Sequence, residues 1–182
     1  MTSYITTCSG KHFNPIAPDS DAIAIEDIAH ALSYLCRGNG HVKQFLSVGQ
    51  HCLRCAFEAE ARGASPRLIL ACLLHDAGEA YLSDVPRPFK QVLPEYILYE
   101  ERLLSIIYEK FLQTSLTEEE ERYVKRIDDD VLYYDLKILL GEVQEKEAPE
   151  MAYAYEYLQQ PFEEVEQAYL HLYQKYINKI SL

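Results

Sequence analysis

The chain has 182 residues, 48% of them apolar and 25% charged, which suits one domain with a real hydrophobic core and excludes both disordered and collagen-like classes. Its formal net charge is −12, and no run of lysine and arginine is dense enough to neutralise a phosphate backbone, so long DNA or RNA is not an expected partner. No apolar stretch reaches about 18 residues and no basic start leads into a cleavable apolar run, so a cytoplasmic protein without a membrane span is expected.

Residues 1–20 carry Gly10, Asn14, Pro15, Pro18 and Asp19 without an apolar period, and read as an irregular arm. Ile25, Ile28, Ala29, Leu32 and Leu35 then recur at helical spacing until Arg37, Gly38, Asn39 and Gly40 break the pattern. A second helix is expected from Val48 to Arg62, with Val48, Cys52, Cys55 and Ala59 on one face and a stop at Gly63. Ser65 and Pro66 read as N-cap and first residue of a third helix. Along it Leu68, Cys72, His75, Asp76 and Glu79 form one stripe, in which ionisable groups continue an apolar face.

The segment SDVPRPFK from Ser83 to Lys90 is forced by two prolines into an extended or turning path. A long helix follows from about Glu95 to Leu112, and another opens at Thr117, where Glu120 completes a capping box. The inward stripe of the latter is expected to be Val124, Ile127, Val131, Tyr134 and Ile138, with Asp128 beside it. A final helix is expected from about Pro161 to Ile177, with Phe162, Val165, Tyr169, Leu172 and Tyr176 on one side. No strand pattern of useful length and no repeat is present, so the expected fold is all-α: a single compact helical bundle, with the arm at 1–20, a core at 21–140 and C-terminal helices at 141–182.

Five cysteines suit a reducing compartment, and Cys52 and Cys55, inside a helical pattern without a second CxxC, read as buried structural residues. The tyrosines Tyr153, Tyr155, Tyr157, Tyr169, Tyr173 and Tyr176 fit core packing or a subunit interface, and a homodimer is an open expectation.

Four ionisable residues lie against apolar stripes: His51, His75, Asp76 and Asp128. Each has an ordinary reading, as a hydrogen-bonded core histidine, a solvated helix-end aspartate, or a member of the exposed acidic run at 128–130. Adjacent helical residues point about 100° apart, so at most one of those three aspartates faces the core squarely, and Asp128 is best placed. Buried carboxylates need compensation, and a divalent cation would supply it for all four residues at once. Two imidazoles and two carboxylates suit zinc, cobalt, manganese, iron or nickel, with positions left for water and substrate.

The segments SVGQHCL around His51, LLHDAGEAYLSDVPRPFK from Leu73 to Lys90 and VKRID ending at Asp128 resemble the HD-domain metal-dependent phosphohydrolases. The similarity is to the small 5′-deoxynucleotidases and the phage-type deoxynucleoside triphosphohydrolases, over roughly residues 25–140. It implies an HD-type bundle in which His51, His75, Asp76 and Asp128 hold one metal. Families of this kind with two metals have extra histidines between the His-Asp pair and the last aspartate, and none stands there in this chain. The resemblance also implies catalytic roles for Glu79 and Asp84 and a phosphate contact for Arg37. Glu79 would orient or deprotonate water, and Asp84 would serve the leaving oxygen. Arg87 and Lys90 are further candidates for phosphate contacts, with solvated loop charges as the ordinary reading. In the deoxynucleotidases a tryptophan that selects deoxyribose follows the arginine. Here Gly38 follows Arg37 and the chain has no tryptophan, so sugar and base selection do not carry over.

The expectation is therefore hydrolysis of a nucleotide, with a nucleoside 5′-monophosphate as first choice and a deoxynucleoside triphosphate as second. A non-catalytic nucleotide-binding module is the rival from another class, and a helical scaffold whose buried charges only pair with one another is a third.

Overall fold

In the computed structural model, which describes residues 3–180, α2 (Val48–Ala61) is the central helix. It buries 11 of its 14 residues and packs against α1 (Ile25–Tyr34), α3 (Pro66–Leu74), α7 (Glu118–Asp135) and α8 (Phe162–Ile177). Two one-turn helices, α4 (Glu79–Leu82) and α5 (Arg87–Lys90), lead into α6 (Pro94–Leu112). The fold is all-α and forms one compact unit around a continuous apolar core, and none of the described helices is long and apolar enough to cross a membrane.

Local chemistry sets the helix starts. Ser65 accepts the Leu68 N–H ahead of Pro66, and Thr117 and Glu120 exchange both bonds of a capping box, as expected. A second capping box joins Ser47 and Gln50 and starts α2 at Val48. Gly49 then lets α2 approach α1 closely, since a Cβ there would stand 3.2 Å from the Leu32 backbone. Arg67 fans out to Glu120 and to the carbonyls of Leu112, Thr114 and Ser115, tying the start of α3 to the α6–α7 turn.

Five expectations need correction. The N-terminal arm contains a small hairpin, β1 (Ile5–Thr6) against β2 (His12–Phe13), turned at Gly10 with φ +82°. Asp27 secures it by accepting the N–H and hydroxyl of Ser9, and Phe13 is fully buried against Tyr81. Secondly, α3 ends at Leu74, and the chain continues through Glu79 in tighter turns, with Ala77 bonded to Leu74 and Glu79 to Asp76. Thirdly, the two prolines of SDVPRPFK admit a one-turn helix, because Pro88 lies in its first turn, where no backbone donor is required.

Fourthly, the inward stripe of α7 runs from Val131 to Asp135 rather than to Tyr134, and the helix passes at Leu136–Leu140 into a π-type turn. Asp135 and Leu139 are buried, whereas Tyr134 is half-buried and Ile138 is exposed.

Lastly, residues 141–182 do not form several helices. Residues 141–161 have no regular structure, and among the described residues α8 is the only helix there. The segment 150–160 lies along α2 as a strap, held by three buried polar residues spaced one turn apart. Gln50 donates to the Leu158 carbonyl, Arg54 donates to the Glu156 carbonyl, and Glu58 accepts the N–H groups of Ala152 and Tyr153 and the Tyr155 hydroxyl. Of the tyrosines of α8 and the strap, Tyr169, Tyr173 and Tyr176 are buried, Tyr155 and Tyr157 face Arg54, and Tyr153 stacks on Phe57 with its outer side exposed.

Glu58 is the strongest of these anchors. Burial alone would raise its pKa, but the Ala152 N–H, Arg62, the Tyr153 N–H and the Tyr155 hydroxyl outweigh that and hold it below the ordinary value. A lowered folded-state pKa contributes stability that is present above the unfolded value of about 4.3 and is lost as pH falls through the folded one. Glu58→Ala is expected to cost about 3 kcal/mol, since it leaves the Ala152 and Tyr153 N–H groups without their acceptor and removes one of the two carboxylates of Arg62. Urea unfolding at neutral pH checks this, and the deficit relative to wild type should shrink in acid. An unchanged midpoint would mean that Glu58 does not anchor the strap.

Candidate metal centre

The site is built from the inner face of α2, the turn after α3 and the middle of α7. His51 lies on α2 and is fully buried. His75 and Asp76 follow the end of α3, where Tyr169 of α8 caps the Leu73 carbonyl at 2.8 Å. Asp128 projects from α7. Of its two neighbours, Asp129 turns outward to Arg87 and Lys125, and Asp130 pairs with Arg62 at 2.9 Å. The three adjacent aspartates thus serve three different directions, and Asp128 is the one that faces inward.

Four atoms form a closed ring. His51 Nε2 lies 3.2 Å from Asp128 Oδ1 and 3.9 Å from Asp76 Oδ2, while His75 Nε2 lies 3.3 Å from the same Asp76 oxygen and 3.7 Å from the same Asp128 oxygen. Ligand atoms about 2.0–2.2 Å from a divalent metal stand roughly 3.0–3.5 Å from their neighbours in the coordination shell, so the ring has close to the size that a shared cation needs.

Each imidazole also meets an acceptor on the side away from the ring. His51 Nδ1 faces Asp135 Oδ2 at 2.9 Å, and His75 Nδ1 faces the Cys72 carbonyl at 2.7 Å. With the proton on Nδ1, Nε2 of each ring would be free to offer its lone pair to a cation held between the carboxylates. His75 Nε2 is buried and has no hydrogen-bond partner among the described residues. These residues fit a metal ion.

Positive charge is required here in any case. Burial opposes protonation of His75, yet Asp76 and Asp128 raise its pKa well above the ordinary value. Burial likewise opposes ionisation of Asp76 and Asp128, but the histidines, with Arg37 at Asp76, hold both well below the carboxylate range. A proton or a divalent cation can answer the same demand.

Cysteine sulfurs also approach. His51, Cys55 and His75 offer ligand atoms within 4.8 Å of one another, as do Cys52, His75 and Asp76. Burial raises the pKa of Cys52 and Cys55 and pushes that of Cys72 up to about 12, so the thiols remain protonated and the carboxylates are the better anionic donors.

The site opens into a cavity of about 790 Å³ lined by Arg37, Asp76, Glu79, Asp84, Arg87, Lys90, Asp128 and Asp135, with Leu132, Leu136, Leu139 and Leu140 on one wall. Arg37 is presented by a loop with left-handed Gly38 and Asn39, and donates to Asp76 Oδ2 at 3.1 Å. Glu79 is buried with Oε2 unpartnered, and burial together with the charges of Asp76 and Asp84 pushes its pKa well above the ordinary value. Asp84 lines the same cavity. Arg87 is exposed and faces Asp128 and Asp129, and Lys90 is bound to Glu100 at 2.7 Å. All nine residues singled out in the sequence therefore line this cavity or the buried end beneath it.

Asp135 was missed. It lies two turns beyond Asp128 and one turn beyond the buried Val131 on the same helix, a spacing that is visible in the sequence, but the stripe drawn through Tyr134 leaves it out.

An all-α fold with a candidate metal centre is the class of protein these features define. No family model matches the chain. It is 41% identical over 109 residues to the uncharacterized protein YfdR of Escherichia coli, an alignment that covers 60% of this chain and 58% of that protein. It is 34% identical over 108 residues to an uncharacterized protein of Rhodobacter capsulatus, covering 57% of this chain and 55% of that one. The chain thus aligns with a little over half the length of each relative.

Proposed function

We propose that the chain is a phosphohydrolase of the HD type that uses one divalent metal and acts on a nucleotide, with a nucleoside 5′-monophosphate as the first-choice substrate. The observation that carries this reading is the ring of two imidazole nitrogens and two carboxylate oxygens, spaced 3.2–3.9 Å apart at the end of a cavity of about 790 Å³. His51, His75, Asp76 and Asp128 would hold the ion, and a divalent cation there would lower the pKa of water and neutralise phosphoryl charge.

The chain's own groups would do the rest. Arg37 would exchange its bond to Asp76 for a phosphoryl oxygen, as a guanidinium suits both. Glu79, with a free Oε2, would orient the attacking water, and would take its proton once a bound cation offsets the charges of Asp76 and Asp84 and lets its carboxyl ionise. Asp84, on the same cavity wall, would hold a proton for the leaving oxygen, while Arg87 and Lys90 would meet phosphate at the mouth. The apolar wall of leucines would take the nucleoside.

Charge favours a monophosphate. Six carboxyl groups, those of Asp76, Glu79, Asp84, Asp128, Asp135 and Glu142, line the cavity against the three cations Arg37, Arg87 and Lys90, and each additional phosphate would add repulsion. A nucleotide panel after chelation and re-addition of single metals tests the reading. Release of inorganic phosphate is expected, triphosphate release would instead identify a deoxynucleoside triphosphate substrate, and nucleotide binding without product would identify a regulatory module.

A further inference from the structure

Asp135 ends α7 two turns beyond Asp128, with only 4% of its surface exposed. Its two oxygens have different partners. Oδ2 faces His51 Nδ1 at 2.9 Å, while Oδ1 receives Arg54 Nη1 at 3.2 Å and the Tyr157 hydroxyl at 2.9 Å. An aspartate present only to neutralise a buried arginine would gain most by giving both oxygens to the guanidinium fork. Here one oxygen is given to the imidazole instead.

Arg54 is constrained as well. Its guanidinium lies 4.0 Å from the centre of the Tyr157 ring and donates to the Glu156 carbonyl at 3.2 Å. The strap therefore reaches the far side of His51 through two of its own residues, and Gln50 and Glu58 hold it on either side of Arg54.

We infer that Asp135 is a positioning residue of the metal centre: it keeps the His51 proton on Nδ1 and the Nε2 lone pair in the ligand ring, and Arg54 and Tyr157 of the strap hold it in place. The inference rests on the metal-centre reading above. A carboxylate behind a ligating histidine fixes its tautomer and orientation and raises its basicity, and losing such a partner typically costs about 10–100-fold in metal affinity. The strap is thereby a structural support of the site, although none of its residues points into the cavity as a ligand.

The test measures zinc and cobalt affinity by competition with a chromophoric chelator for wild type, Asp135→Asn and Tyr157→Phe, with melting of the metal-free proteins as the control for folding. Asp135→Asn is expected to weaken binding by about 10–100-fold, and Tyr157→Phe by less. Long-range 1H–15N NMR of the zinc-loaded wild type should place the His51 proton on Nδ1. Unchanged affinity in a folded Asp135→Asn, or His51 ligating through Nδ1, overturns the inference. If Asp135→Asn does not fold, Tyr157→Phe and the wild-type tautomer decide. A wild-type chain that takes up neither metal overturns the metal reading itself, whereas normal uptake with an indifferent Asp135→Asn overturns only the positioning role.

Discussion

Asp76→Ala is expected to abolish stoichiometric metal binding and to lower nucleotide hydrolysis by on the order of 10³-fold or more, since the reaction would lose both its activated water and its charge neutralisation. Asp76 Oδ2 is shared by His51, His75 and Arg37, so truncation also leaves the half-buried Arg37 without its carboxylate. That secondary damage is expected to cost about 1–3 kcal/mol of stability. Asp76→Asn keeps an acceptor for Arg37 and isolates the loss of the anionic ligand. Elemental analysis and phosphate release on both variants check the expectation, and full activity in either one, or activity that survives chelation, would remove the basis for the proposed chemistry.

Glu79→Gln should behave in the opposite way toward stability. The Glu79 carboxyl is buried, and burial with the nearby Asp76 and Asp84 charges favours its neutral form, so an amide of the same shape replaces it at little cost. Metal content and melting temperature are expected to stay near wild type. Hydrolysis should fall by about 10²–10⁴-fold, the usual contribution of a placed general acid or base. Activity near wild type would take Glu79 out of the mechanism without touching the metal ligands, which makes the two substitutions independent tests.

Much of the site was readable before any coordinates because its residues interrupt apolar stripes. His51 on α2 and Asp128 on α7 occupy positions where the helical period calls for an apolar side chain or a compensated charge. Glu79 lies on the same stripe as His75 and Asp76, but its role needed the family resemblance, as did Asp84 altogether, since a turn aspartate carries no such signal. Asp135 escaped because the helical period allows a step of three or four residues from Val131, and the stripe that runs on to Tyr134 and Ile138 passes it by, whereas the buried positions are Asp135 and Leu139. The strap escaped because residues 141–161 have no period of their own. Its trace was on α2, where Gln50, Arg54 and Glu58 repeat at a spacing of four residues.

By itself the sequence determined the helix starts at Pro66 and Glu118, the all-α class, and the four residues able to converge on one cation. Those features follow from caps and periodicity, which act within a few residues along the chain. Only the tertiary structure decided that the four atoms close into one ring, that Arg37 joins it through Asp76, and that the strap supports His51 from behind through Asp135. Each of these depends on contacts between residues far apart in the chain, whose strength comes from burial and mutual orientation rather than from any local preference.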